Sequence, residues 1–311
     1  MKLSSYIKKI ILIIKAKISY KKNQISANLY AFNFSLNTKY DRVIFALNDS
    51  EYMHLGDYLF ILPVIKSFVD NGYNVIVHST AASYDFLHKL NFPVTRVEPT
   101  CSGNDLLISR FELIPLLHTT PSIFIHVSKN LTMPICSQLL YEFNSLFDFK
   151  PYLPIDYSVF AKENLLQWLN LPPEKKIIIF NPYCDASSYL VTTQKRMKII
   201  DFVTRLQQQN DNSVIVFTGS LADKNADKFQ NYDFVYLDLR GKTSIIDIFS
   251  LVSAKNVLAY VGFDSFTMHV FSLYSKPSYV VFRGRISRRQ SMMLQKFHVN
   301  LFTGDKWVSL L

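Results

Sequence analysis

Short apolar runs and longer stretches of helical period alternate along most of this chain. Residues 41–47 (DRVIFAL) form a run too short for a buried helix and right for a buried strand. A polar loop, 48–54, leads to Leu59, Leu62, Ile65 and Phe68. These recur at helical spacing up to Asn71-Gly72, with Pro63 inside the pattern as a kink or a late start. Residues 74–78 (NVIVH) supply the next strand, which makes a β-α-β unit and hence a parallel sheet. Residues 122–127 read as a strand and 161–169 as a helix.

The second half is more regular. Strands are expected at 176–180, 213–218, 234–238, 257–261 and 278–282. Helices are expected at 198–209, at 244–254 with Thr243 or Ser244 as cap, and at 266–274 before the Lys276-Pro277 stop. Gly262 is read as the break after the fourth of these strands, and Asp264 and Ser265 as caps of the helix that follows. The fold class is therefore α/β, with two Rossmann-like halves. Pro151, Pro154, Pro172 and Pro173 mark the junction, giving domains at 41–165 and 166–311 behind an arm at 1–40.

That arm carries the basicity. The formal net charge is +10, and eight of the 34 basic groups but none of the 24 acidic ones fall in residues 1–40. The body is nearly neutral, which argues against a nucleic-acid-binding surface on the fold. Leu3, Ile7, Ile10, Ile11, Ile14 and Ile18 form one helical stripe with lysines on the other faces. Such a helix suits an anionic membrane surface or packs on the protein itself. Its apolar core, 10–14, is too short for a signal peptide, and no 18-residue apolar stretch predicts a membrane span. Cys101, Cys136 and Cys184 lack metal-ligand spacing and fit a reducing, cytoplasmic compartment.

The stretch 257–273 (VLAYVGFDSFTMHVFSL) reads strand, tight turn, helix. It brings free backbone amides and the positive end of a helix dipole to the carboxyl edge of a sheet, a site suited to a phosphate. Gly241-Lys242-Thr243 is not a Walker A loop, because Tyr236 stands where that loop needs glycine.

Asp264-Ser265 with His269 resembles the D-[ST]-G-x-x-H signature of the heptosyltransferase-like glycosyltransferases of family 9, with Phe266 in place of the glycine. Gly56-Asp57 followed by Pro63 is similar to that family's G-D-x-x-x-x-x-P element. NPYCDASSYLVTTQKR, VIVFTGS and RGKTSIIDIFSLVSAKN resemble its intervening segments, so the likeness spans roughly residues 42–285. The resemblance implies the GT-B architecture, two Rossmann-like domains facing across a cleft. It also implies inverting, metal-independent transfer of a sugar, heptose being the best-known case. The donor would be a nucleotide-diphosphate sugar. The acceptor would be lipopolysaccharide core or another anionic surface glycan at the inner face of a bacterial membrane. No cofactor is implied.

By the same resemblance Asp57 is the base, and Lys195 or Arg196 holds the donor phosphates. Gly219 and Ser220 lie by the base or ribose, with Lys242 close to the nucleotide. Ser265, Phe266 and Thr267 offer backbone amides to the diphosphate, and Asp264 lies near the sugar or caps the turn. His269 is a structural histidine or a phosphate or sugar contact. His54, Gly56, Arg283 and Arg285 are placed on the acceptor side. Two other readings stay open: a nucleotide-sugar epimerase, and a non-catalytic glycan-binding or scaffold protein.

Overall fold

The computed structural model describes residues 23–36, 38–47, 55–79, 81–110, 120–126, 134–162, 165–183, 192–226, 232–281 and 308–311. The chain divides into two compact units, one of residues 1–130 and 136–155, the other of 131–135 and 156–311.

The first unit is built on a six-stranded sheet. Its parallel strands are β2 (Arg42–Leu47), β3 (Val75–Ser79), β4 (Val94–Thr95), β5 (Asp105–Arg110) and β6 (Ser122–Ile125). The spatial order β6-β5-β2-β3-β4 reverses direction at β2 and β5, a doubly wound arrangement. Val43, Ile44, Phe45 and Leu47 are all buried, as a central parallel strand covered on both faces requires.

Helix α1 (Leu55–Asp70) follows β2 and runs unbroken through Pro63. Proline cannot donate to the carbonyl four residues before it. That carbonyl, on Leu59, instead accepts from the buried Cys136 thiol of α3 (Ile135–Phe147), Sγ to O 3.7 Å. Burial pushes the Cys136 thiol well above its ordinary range, so it stays protonated and able to donate. Helix α2 (Ala81–Lys89) joins β3 to β4.

Part of the expected arm belongs to this sheet. Residues 1–22, including the amphipathic stripe, lie outside the described residues. But β1 (Leu29–Phe32) pairs antiparallel with β6, Leu29 opposite Ile125. The strand is fastened by a buried carboxylate. Glu142 of α3 accepts from Ser26 Oγ at 2.5 Å, Asn28 Nδ2 at 2.6 Å, Asn28 N at 3.1 Å and Gln138 Nε2 at 2.8 Å. No local pattern marks β1, because its partners lie about a hundred residues away.

The second unit begins with a 3-10 turn (Tyr157–Phe160) capped by Asp156. Of the stretch 161–169 expected to be helical, the described residues place α4 at Leu165–Trp168. Residues 156–162, on the first-domain side of the expected junction, are committed here instead. Phe160 packs on Phe249 with ring centroids 4.6 Å apart, and Lys162 pairs with Asp247. Burial alone would raise the Asp247 carboxyl, but hydrogen bonds from Lys162 and Ser244 hold it below the usual range.

The sheet of this unit is wholly parallel: β7 (Lys176–Asn181), β8 (Ser213–Phe217), β9 (Val235–Asp238), β10 (Val257–Phe263), β11 (Ser278–Val281) and β12 (Val308–Leu310). Its order, β9-β8-β7-β10-β11-β12, is that of the dinucleotide-binding Rossmann sheet, with the switch point between β7 and β10. The connecting helices are α5 (Thr193–Gln208), α6 (Leu221–Ala226), α7 (Ile245–Ser253) and α8 (Phe266–Leu273). Ile199 and Val203 of α5 pack on Ile178, Phe180, Ile215, Phe217, Val261 and Phe263. Of the two caps expected, Thr243 or Ser244, it is Ser244 that caps α7, in a reciprocal capping box with Asp247. Among the described residues no helix is long and apolar enough to cross a membrane.

Candidate functional site

Polar and glycine residues gather at the carboxyl edge of the second sheet, where the strands hand over to loops. At the switch point Asn181 ends β7 and stands opposite Gly262 of β10. Gly262 does not break the strand as expected; it is an interior residue of β10, which runs on through Phe263. Its role is close approach. A Cβ there would lie 2.3 Å from the Asn181 carbonyl oxygen and 2.3 Å from the Tyr260 hydroxyl. That hydroxyl reaches forward beneath the turn, donating to Phe263 O at 2.9 Å and bonding Ser265 Oγ at 2.9 Å. Ser265 occupies the N-cap position of α8, yet its side chain makes no cap bond. The turn is held from below by the tyrosine instead.

Asn181 also faces β8. Its side-chain oxygen accepts from Tyr183 N at 2.9 Å, and its amide nitrogen lies 3.4 Å from where a Gly219 Cβ would be. The same imagined Cβ would meet Asp223 Oδ2 at 2.9 Å and Arg240 Cγ at 3.4 Å. Three strand ends thus converge around Gly219. Ser220 and Asp223 form a reciprocal pair at the start of α6: Ser220 N donates to Asp223 Oδ2 at 2.9 Å, and Asp223 N to Ser220 Oγ at 3.0 Å. Ser220 is therefore engaged as a cap.

Arg240 is buried and lies over Phe217, Cζ 3.8 Å from the ring centre. Its Nε and Nη2 donate to the two oxygens of Asp238 at 3.0 and 2.9 Å. Burial alone would raise the Asp238 carboxyl, but the Arg240 bonds hold it below the usual range. Lys242, two residues on, is exposed.

Helix α5 starts beside this cluster. Thr192 caps it by accepting from Lys195 N at 3.3 Å. Its first turn has no acid and holds Lys195 and Arg196, so side-chain charge adds to the helix dipole. The Arg196 guanidinium sits over the Tyr183 ring, Cζ to centroid 4.4 Å. At the start of α8, Asp264, Thr267 and His269 are buried. Phe266 turns its ring onto Phe249 of α7, centroids 5.9 Å apart. Its bulk goes into packing, and its backbone still opens the helix.

No protein-family model and no curated protein matches the chain. Solved structures do. A family 9 glycosyl transferase from Veillonella parvula matches over 89% of this chain and 88% of its own, with TM-score 0.58 and 12% identity. E. coli ADP-heptose lps heptosyltransferase II matches over 87% and 90%, with TM-score 0.55 and 13% identity. E. coli heptosyltransferase WaaC with ADP-2-deoxy-2-fluoro heptose matches over 87% and 92%, with TM-score 0.51 and 14% identity. This is the fold of the family 9 glycosyltransferases.

Within the family 9 fold the expected donor-side residues divide. Gly219, Ser220, Asp264, Ser265, Phe266, Thr267, His269, Lys195 and Arg196 all belong to the strand ends and helix starts at the carboxyl edge of one sheet. Lys242 lies in the turn after β9. On the first unit, Gly56 and Asp57 lie in the first turn of α1, directly after the loop from β2. His54, Arg283 and Arg285 lie outside the described residues. Asn181, Tyr183, Asp238 and Tyr260 were not anticipated as site residues, and Arg240 only as part of the turn that carries Lys242. Asn181 had a signal, a polar residue closing an otherwise apolar strand. The tyrosines had none, because their role depends on which rings meet across strands.

Proposed function

We propose that this protein is a glycosyltransferase that moves a sugar from a nucleotide-diphosphate donor to an anionic bacterial surface glycan. The observation that carries the reading is the switch point of the second sheet. There Gly219 and Gly262 let Asn181, Asp223, Arg240 and Tyr260 close in around the strand ends, and α5 and α8 bring their first turns to the same edge. Backbone amides and fixed cations at such an edge suit the growing charge on a leaving diphosphate. Lys195 or Arg196 supplies the cation, Gly219 and Ser220 border the nucleoside, and the α8 amides take the remaining phosphate oxygens. Asp57 removes the acceptor hydroxyl's proton as attack develops. The reaction so described inverts the sugar and needs no metal. Heptose is the favoured sugar, since the E. coli proteins of this fold are heptosyltransferases by name. The acceptor is lipopolysaccharide core or a similar glycan, met at the inner membrane surface through the basic residues 1–22.

Calorimetric titration of the purified chain with ADP, UDP, GDP and CMP tests the donor side. Saturable binding of one nucleoside diphosphate, weakened by Lys195→Ala or Arg196→Ala, is expected. Failure of every nucleotide to bind refutes the reading. Asp57→Asn is expected to keep nucleotide binding and lose transfer. Sedimentation with anionic vesicles, against a chain lacking residues 1–22, tests the membrane contact.

A further inference from the structure

Buried polar groups in a folded chain are almost always hydrogen-bonded, and an unpaired one asks for a reason. Two stand side by side at the carboxyl edge of the second sheet. Asn181 is 7% exposed. Its side-chain oxygen accepts from Tyr183 N, and because an N–H can bond only the oxygen, that contact fixes which way the amide is turned. Nδ2 therefore lies on the β8 side, by Gly219, and among the described residues it donates to no acceptor. Thr218, next before Gly219, is 1% exposed, and its hydroxyl has no partner among the described residues. Thr218 N donates to Phe180 O at 3.0 Å, which sets Thr218 beside Asn181 on the neighbouring strand.

Both groups are neutral. An amide N–H beside a hydroxyl suits another hydroxyl, whereas an ionised phosphate oxygen is better met by cations and helix amides. The fold says which hydroxyl. In a sheet of this strand order the diphosphate lies at the switch point, and the ribose of the nucleoside is read at the edge beside it. The Asn181 amide is turned from the switch point toward that edge. Asp223, the acid there, is already tied to Ser220 N. We propose that the Asn181 side-chain amide donates to a ribose hydroxyl of the donor nucleotide, so that the site selects ribonucleotides over deoxyribonucleotides. This rests on the nucleotide-diphosphate reading of the site.

The test is calorimetry on the full chain with ADP, UDP and GDP, each beside its 2′-deoxy and 3′-deoxy forms. The unaltered chain is expected to bind one diphosphate about ten- to hundredfold more tightly than one of its deoxy forms, since the deoxy ligand covers the amide without pairing it. Asn181→Leu keeps the size and removes the donor, and is expected to bind the ribo and deoxy forms alike. A merely structural asparagine would lower both by one factor and leave their ratio standing. Asn181→Asp keeps an oxygen for Tyr183 N and can accept from a ribose hydroxyl, so the turn is preserved and the preference is expected to persist. An equal loss of both forms in Asn181→Leu, partial or complete, overturns the proposal while the nucleotide reading stands. So does equal binding of ribo and deoxy forms by the unaltered chain, or loss of both forms in Asn181→Asp, as a phosphate oxygen at the amide would give. Absence of any diphosphate binding by the unaltered chain overturns both.

Discussion

Gly262→Ala tests the switch-point geometry directly. The added Cβ would sit 2.3 Å from the Asn181 carbonyl oxygen, 2.3 Å from the Tyr260 hydroxyl and 2.6 Å from its Cζ. Carbon and carbonyl oxygen settle at about 3.3–3.6 Å, so the two strands must part by roughly 1 Å. They cannot do so freely, because Ile179, Phe180, Tyr260 and Val261 along this pair are fully buried. Overpacking a tight core by one methyl costs about 1–3 kcal/mol, and a clash with backbone belongs at the upper end, so about 3 kcal/mol is expected. Unfolding in urea, followed by far-ultraviolet circular dichroism, reads the loss. With a urea slope of about 1–3 kcal/mol/M, the midpoint should fall by roughly 1 M or more. Tyr260→Phe removes one of the clashing atoms but leaves the carbonyl in place. Combined with Gly262→Ala, it should therefore rescue little. A Gly262→Ala midpoint within about 0.2 M of wild type, at an unchanged slope, would refute the reasoning.

Four further outcomes follow from particular contacts. Cys136→Ala should destabilise the first unit by about 1–2 kcal/mol, because the Leu59 carbonyl before Pro63 loses its donor, and Cys136→Ser should recover part of it; equal losses in thermal unfolding would sink this account. Glu142→Gln should cost about 2–3 kcal/mol and speed amide exchange in Leu29–Phe32, since four donors converge on that carboxylate; unchanged exchange there would contradict it. Phe266→Gly should lower stability by about 2 kcal/mol through the lost Phe249 contact and the glycine in the first turn, yet leave nucleotide affinity within about twofold, a calorimetric comparison that a direct ligand role for the ring would fail. Burial lowers Lys276 to about 8 while its Nζ donates to Ala254 O, so the folded chain sheds this proton before the unfolded chain does. Relative to Lys276→Met, wild type should therefore gain stability as pH rises from about 8 to 10.5 and show a constant difference below that window. A flat or falling difference across it would contradict the assignment.

Periodicity was enough for the alternation of strands and helices. Isolated apolar runs such as 176–180 and 213–218 have nowhere to go but the middle of a sheet covered on both faces. A cap at Thr243 or Ser244 was equally readable, because a cap is satisfied within four residues. The candidate anion site at 257–273 was legible for the same reason. Strand, turn and helix start are contiguous in the chain, and the carboxyl edge follows from chain direction alone.

What the sequence left undecided depends on partners distant in the chain. It marked Gly262 as a break, because a glycine's sequence neighbours do not reveal the strand pressed against it. Only the pairing of β10 with β7 shows that the missing side chain makes room for Asn181 and Tyr260. Phe266, which stands where the family signature has glycine, shows its packing partner only once α7 places Phe249 beside it. Tyr183 and Arg196 are thirteen residues apart in sequence, and nothing local says that one lies on the other. The chain by itself determined which segments are strands and helices and where amides and cations fall along it, since those follow from local period and capping. Tertiary structure decided strand order, the carboxylate that fastens Leu29–Phe32, and the ring on which Arg196 lies. Each of these is a contact whose free energy exists only once distant segments have met.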